Sequence, residues 1–129
     1  MEKVLFGVNG TLMRGLALNG NLLDVGAVFV REATTSPIYR MWTIDDQHPA
    51  MMRDTNAGGE ISLEIWRLSA EALLKVLQQE PAGLCVGKIQ LQGEQWVLGV
   101  LAEPFICEGQ TEITEFGGWR NYTANQRTP

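Results

Sequence analysis

A chain of 129 residues can bury one proper core, so a single domain is expected. Its composition, 45% hydrophobic and 19% charged, is that of an ordinary globular protein. A net charge of −5 with no Lys/Arg cluster argues against nucleic acid and against anionic membrane as partners.

Residues 3–9 form an apolar run that breaks at Gly10, and Thr11, Leu12, Met13, Arg14 and Gly15 follow. A strand that stops at glycine leaves the next N–H groups without ladder partners, and such amides can hold a carboxylate. Asn9, Gly10, Thr11, Leu12 and Met13 are therefore candidate binding residues. A plain turn with no ligand is the competing reading. Residues 25–31 read as a second strand, apolar on both faces. Ala33 to Pro37 is turn chemistry, and a third strand spans residues 38–44. From Asp45 to about Gly59 no period is visible, so an irregular loop or mobile cover is expected.

Glu60 to Trp66 alternates strictly, with Ile61, Leu63 and Ile65 on one face and Glu60, Ser62, Glu64 and Trp66 on the other. Ser69 fits the N-cap of a helix over residues 69–80, with Glu71 in its first turn. Ala70, Leu73, Leu74 and Leu77 are expected on its apolar face, and Pro81 ends it. Residues 86–91 and 96–101 flank Gln92 to Gln95 as a hairpin. The segment from Gly117 turns polar and is expected to fray after Tyr122. The expected fold is α+β, a small curled mixed sheet closing into a barrel around one main helix. The domain covers residues 1–122, and residues 123–129 form a polar tail.

Glu80 is the candidate catalytic group. It lies three residues after Leu77 and seven after Leu73, on the apolar face of the helix. Burial and the negative end of the helix dipole both raise a carboxylate pKa, as suits a general acid or base. The competing reading is a frayed last turn with Glu80 in water. His48, the one histidine, reads as a solvated loop residue. Glu60 and Glu64 could pair, but their face reads as the wet one. Trp42, Trp66, Trp96 and Trp119 read as core and rim aromatics. Cys85 and Cys107 are widely separated and one histidine is too few for structural zinc, so neither metal nor cofactor is expected. No basic segment leads into an apolar run and no stretch has membrane-spanning length. A cytoplasmic protein with reduced thiols is expected.

Two resemblances sharpen these expectations. Asn9-Gly10-Thr11-Leu12 resembles the Tyr-Gly-Ser/Thr-Leu loop of the γ-glutamylcyclotransferase fold, where it grips the substrate carboxylate; Asn9 replaces Tyr. Leu77-Gln78-Gln79-Glu80-Pro81 is similar to the Leu-x-x-x-Glu-Gly stretch that carries the catalytic Glu there, with Pro81 in place of Gly. The second resemblance spans nearly the whole chain. Ile113-Thr114-Glu115-Phe116-Gly117-Gly118-Trp119-Arg120-Asn121-Tyr122 resembles the closing Ile-Thr-x-Phe-Gly-Gly-Trp-Arg-x-Tyr of the allophanate hydrolase C-terminal domain. Gly15 to Asn19, Gly26 to Arg31, Thr35 to Arg40, Leu84 to Gly87 and Gly99 to Glu103 resemble further blocks of that domain in order.

The resemblance implies a γ-glutamylcyclotransferase-like fold and a link to urea and nitrogen metabolism. It also implies a stand-alone domain without the Ser–Ser–Lys amidase machinery, so allophanate hydrolysis itself is not expected. Glu80 and the Gly-Thr-Leu loop depart from the multidomain enzymes and lean toward the cyclotransferases. One expected function is an enzyme-like protein that binds a small carboxylate or carbamate. It would cyclise a γ-glutamyl amine or break down an N-carboxyurea-type product. The alternative is a non-catalytic module that positions a separately encoded amidase or forms a homodimer, with Phe116 to Tyr122 as the docking surface.

Overall fold

Eight strands and three helices are seen in the computed structural model, which describes residues 2–126. In chain order they are β1 (Lys3–Val8), α1 (Asn19–Leu23), β2 (Val28–Thr34), β3 (Tyr39–Ile44), β4 (His48–Arg53) and β5 (Ser62–Ser69). Then come α2 (Ala70–Gln79), β6 (Leu84–Gln90), β7 (Trp96–Ala102), β8 (Thr111–Glu112) and α3 (Trp119–Gln126). The class is α+β, as expected. The sheet is not one closed barrel. A five-stranded mixed sheet runs β2-β5-β1-β7-β6, and a separate three-stranded sheet runs β4-β3-β8. The break lies at Thr35, Ser36 and Pro37. Pro37 has no N–H to continue a ladder, so β3 starts a second sheet instead of pairing with β2. The edges of the large sheet come together where Thr35 bridges Leu91 and the Ser36 N–H donates to Gln90 O.

β1 lies between β5, antiparallel, and β7, parallel. Its Phe6 and Val8 are sealed in a core with Leu22, Ile61, Ile65, Leu68 and Ile89. Burial of this apolar surface is the main stabilising term, at roughly 25 cal/mol per Å². On α2 the Ser69 Oγ accepts the Ala72 N–H at 3.1 Å, the expected N-cap. The buried face of α2 is Ala72, Leu73 and Val76, while Leu74 is exposed, so the apolar stripe is rotated from the expected one. Among the described residues no helix is long and apolar enough to cross a membrane.

The expected irregular loop after Asp45 is instead a hairpin. Asp45 and Asp46 both take positive φ, 52° and 58°, and the Gln47 N–H closes the turn on Ile44 O at 2.9 Å. β4 then pairs with β3 from His48 to Arg53. Pro49 is tolerated because β4 is an edge strand. Pro49, Ala50 and Met51 are all buried, which hides the alternation that marks a strand.

The segment expected to fray is helical through Gln126; residues 127–129 of the expected tail lie outside the described residues. Gly117, at φ 73°, turns the chain, and Ser62 N–H donates to its carbonyl at 2.8 Å. A side chain at Gly118 would crowd the Ser62 Cβ at 3.3 Å, so the Gly-Gly pair lets the backbone lie against the start of β5. Trp119 and Tyr122 are buried on their own fold. They do not form an exposed docking surface. Trp119→Ala is expected to cost about 3 kcal/mol, read as a fall in thermal midpoint; an unchanged midpoint would contradict this packing.

Candidate functional site

β1 delivers the chain to Asn9, and Gly10 turns it away. A Cβ at Gly10 would lie 2.6 Å from the Pro49 ring, so only glycine lets the loop rest on β4. Through the loop the carbonyls face inward: Gly10 O accepts Met13 N–H, Thr11 O accepts Leu18 N–H, and Leu12 O accepts the Asn19 amide. The N–H groups of Gly10, Thr11 and Leu12 have no partner among the described residues. Orphaned amides in a tight turn form a concavity suited to an anion. Asn9 is buried, and its amide nitrogen donates to Val100 O at 3.1 Å, which ties the loop to β7.

These residues form one wall of a cavity of about 220 Å³. Glu80 and Pro81, past the end of α2, and Leu84 at the start of β6 form a second wall. Gln47, His48 and Pro49 from the β3–β4 hairpin form a third. Glu80 leaves the helix in an extended conformation, and its N–H still bonds Leu77 O. Its carboxyl is half-buried, and desolvation pushes it above the ordinary carboxylate range, an effect partly offset by the charge of His48. Such a carboxyl can hold or release a proton near neutral pH.

Asn9, Gly10, Thr11, Leu12 and Glu80 therefore share one cavity. Met13 does not join them: its N–H is spent on Gly10 O, and its side chain is buried in the core. His48, read from sequence as a solvated loop residue, does line the cavity.

Glu64 also departs from its expected place. It does not sit on a wet face with Glu60: it is 2% exposed and holds four donors. The Arg14 backbone N–H at 2.9 Å and the Trp66 indole at 3.2 Å meet Oε1, while Arg14 Nε at 3.2 Å and Arg120 at 3.0 Å meet Oε2. These donors hold its carboxyl below the ordinary range despite burial. Arg120 also donates to Arg14 O at 2.7 Å, so both peptide groups of the residue after the loop are clamped. The one sequence signal for this was Trp66 on the same face, since a Trp there must be covered by something.

The allophanate hydrolase C-terminal domain family matches residues 4–124. The chain belongs to that family. Urea amidolyase of Saccharomyces cerevisiae is 26% identical over 123 residues, which are 89% of this chain and 7% of that one. A crystal structure of a uropathogenic E. coli-specific protein superposes with a TM-score of 0.94 at 51% identity, covering 96% of this chain and 98% of that one. Kluyveromyces lactis allophanate hydrolase superposes with a TM-score of 0.92 at 24% identity, covering 98% of this chain and 22% of that one. The domain thus spans a small part of the curated relatives it matches. A γ-glutamyl cyclotransferase shares the fold more distantly, with a TM-score of 0.55 at 15% identity, 79% of this chain and 68% of that one.

Proposed function

We propose that this domain binds a small carboxylate or carbamate on the Gly10–Leu12 amides and moves a proton with Glu80. The observation that carries the reading is that the residues with orphaned amides and the one with a desolvated carboxyl line one small cavity. Two reactions fit these parts. A γ-glutamyl amine would cyclise as Glu80 takes a proton from the attacking nitrogen and returns it to the leaving amine. An N-carboxyurea-type product would lose carbon dioxide as protonated Glu80 delivers its proton to the nitrogen. Relatives named urea amidolyase and allophanate hydrolase favour the second, within nitrogen metabolism.

A crystal soaked with malonamate, a stable carbon analogue of an N-carboxylated amide, tests the reading. The carboxylate is expected on the Gly10, Thr11 and Leu12 amides, with Glu80 within roughly 3 Å of the central carbon or its substituent. A carboxylate seated elsewhere would overturn it. A second reading, a module that positions a separately encoded amidase, draws on the domain's being a minor part of longer chains in K. lactis and yeast. That reading expects amidase binding that is indifferent to Glu80.

A further inference from the structure

The cavity has a charge problem. With Glu80 ionised, seating a carboxylate in it places a second negative group nearby, between walls contributed by Val8, Leu12, Leu84 and Val100. Like charges in such a poorly solvated space repel far more than they would in water. Backbone amides alone supply only partial charge. Among the described residues no Lys or Arg lines the cavity, and His48 is the one lining side chain that can carry a positive charge.

The geometry presents His48 for that task. Its Nδ1–H donates to Pro49 O at 3.0 Å, which fixes the ring and leaves Nε2 without a partner among the described residues. No fully sealed side-chain nitrogen or oxygen in the described structure is unpaired, so Nε2 opens to accessible space. Pro49, the next residue, is the one on which Gly10 rests, so His48 is anchored beside the amide loop. Glu80 feels the charge of His48, yet the ion pairs within 4 Å among the described residues do not join the two. Both line the cavity without closing it as an ion pair. The acidic neighbours on the turn are engaged elsewhere: Asp45 with Gln110, and Asp46 with Thr43 and Tyr122.

We propose that His48 is the anion-reading residue of this cavity, pairing through Nε2–H of its charged ring with the ligand carboxylate that the Gly10–Leu12 amides hold. This rests on the carboxylate-binding reading above and adds its specificity element: the ligand group must be anionic, not merely polar. An amide of the same shape would meet the loop and the ring but gain no charge-assisted bond.

The test compares sodium acetate with acetamide by NMR at a pH of about 6, where an ordinary imidazole is substantially charged, with sodium chloride holding ionic strength constant. The ring signals need no assignment because the chain has one histidine. Acetate is expected to move the Gly10, Thr11 and Leu12 amides and the His48 ring together, and acetamide to bind at least about tenfold more weakly. His48→Gln is expected to weaken acetate by about tenfold and to erase most of the preference over acetamide. The ring shift in the unsubstituted protein keeps the test valid if that variant folds poorly. Acetate that moves the amides but not the ring, or binds His48→Gln unchanged, overturns the role of His48 and leaves the amide site standing. Acetate that moves neither removes the carboxylate site, and His48's role with it.

Discussion

Glu80→Gln is expected to abolish turnover, by about 10²- to 10⁴-fold, while ligand binding is kept or improved. Gln keeps the size and hydrogen-bonding capacity of the side chain and cannot move a proton. It also removes the negative charge that an incoming carboxylate must approach, so acetate should bind no more weakly than before. Stability provides an independent sign. Burial raises the folded-state pKa of Glu80, so its protonated form is favoured in the fold and the ionised form strains it. Whatever stability the protonated group contributes is complete below the ordinary carboxylate pKa and is lost as pH rises through the raised value. At pH 7 Glu80→Gln should therefore be neutral or stabilising, by no more than about 1 kcal/mol because water reaches the cavity mouth. At acid pH the variant and the parent should melt together. Thermal melts across pH, beside an activity assay on N-carboxylated and γ-glutamyl substrates, check both halves. A variant that loses activity together with several degrees of melting temperature would mark Glu80 as structural.

Why the position of Glu80 at the cavity could be anticipated and that of His48 could not follows from what each depends on. Glu80 is placed by short chain distance: it follows the last residue of α2 directly, three residues after the half-buried Leu77 and just before the Pro81 that ends the helix. The Gly10 loop is equally local, because a strand must stop where its ladder stops. β5 and the Ser69 cap were legible for the same reason, through period-two alternation and N-cap chemistry within a few residues. His48 reaches the cavity only through the register of a hairpin, Ile44 opposite His48. Its turn uses two Asp residues at positive φ where glycine or asparagine would have announced it. β4 then hides its period because both of its faces are covered. α3 carries Trp119 and Tyr122 on eight residues, too short a pattern to separate from a polar tail. The outward face of β5 looked wet because Arg14 and Arg120, which cover Glu64, lie 50 and 56 residues away from it. That is a tertiary fact with no local trace.

The charge clamp at Glu64 should be the costliest single side chain to neutralise. Glu64→Gln keeps the volume but removes the charge that holds Arg14 and Arg120. The amide can accept through its one oxygen, so either the Arg14 N–H and the Trp66 indole or the two guanidinium groups lose their acceptor. Breaking a buried ion pair by removing one partner costs about 3–5 kcal/mol when the other charge stays buried. Here the arginine side chains are 45% and 46% exposed and can rehydrate, so the loss should be nearer about 2–3 kcal/mol. For a chain of this size that lowers the melting midpoint by about 10 °C. The pH dependence has the opposite sign from that of Glu80. The donors hold the Glu64 carboxyl below its ordinary range, so its contribution is complete above the ordinary carboxylate pKa. It is lost as pH falls through the lowered folded value. The gap between parent and Glu64→Gln should thus be widest from pH 5 upward and should narrow on acidification. Because Glu64 and Arg120 hold both peptide groups of Arg14, the variant should also broaden or shift the Gly10–Leu12 amide signals at temperatures where it is still folded. A gap that stayed constant down to acid pH would show that the donors hold the shape of the side chain rather than its charge. Equal melting at pH 7 would remove the clamp altogether.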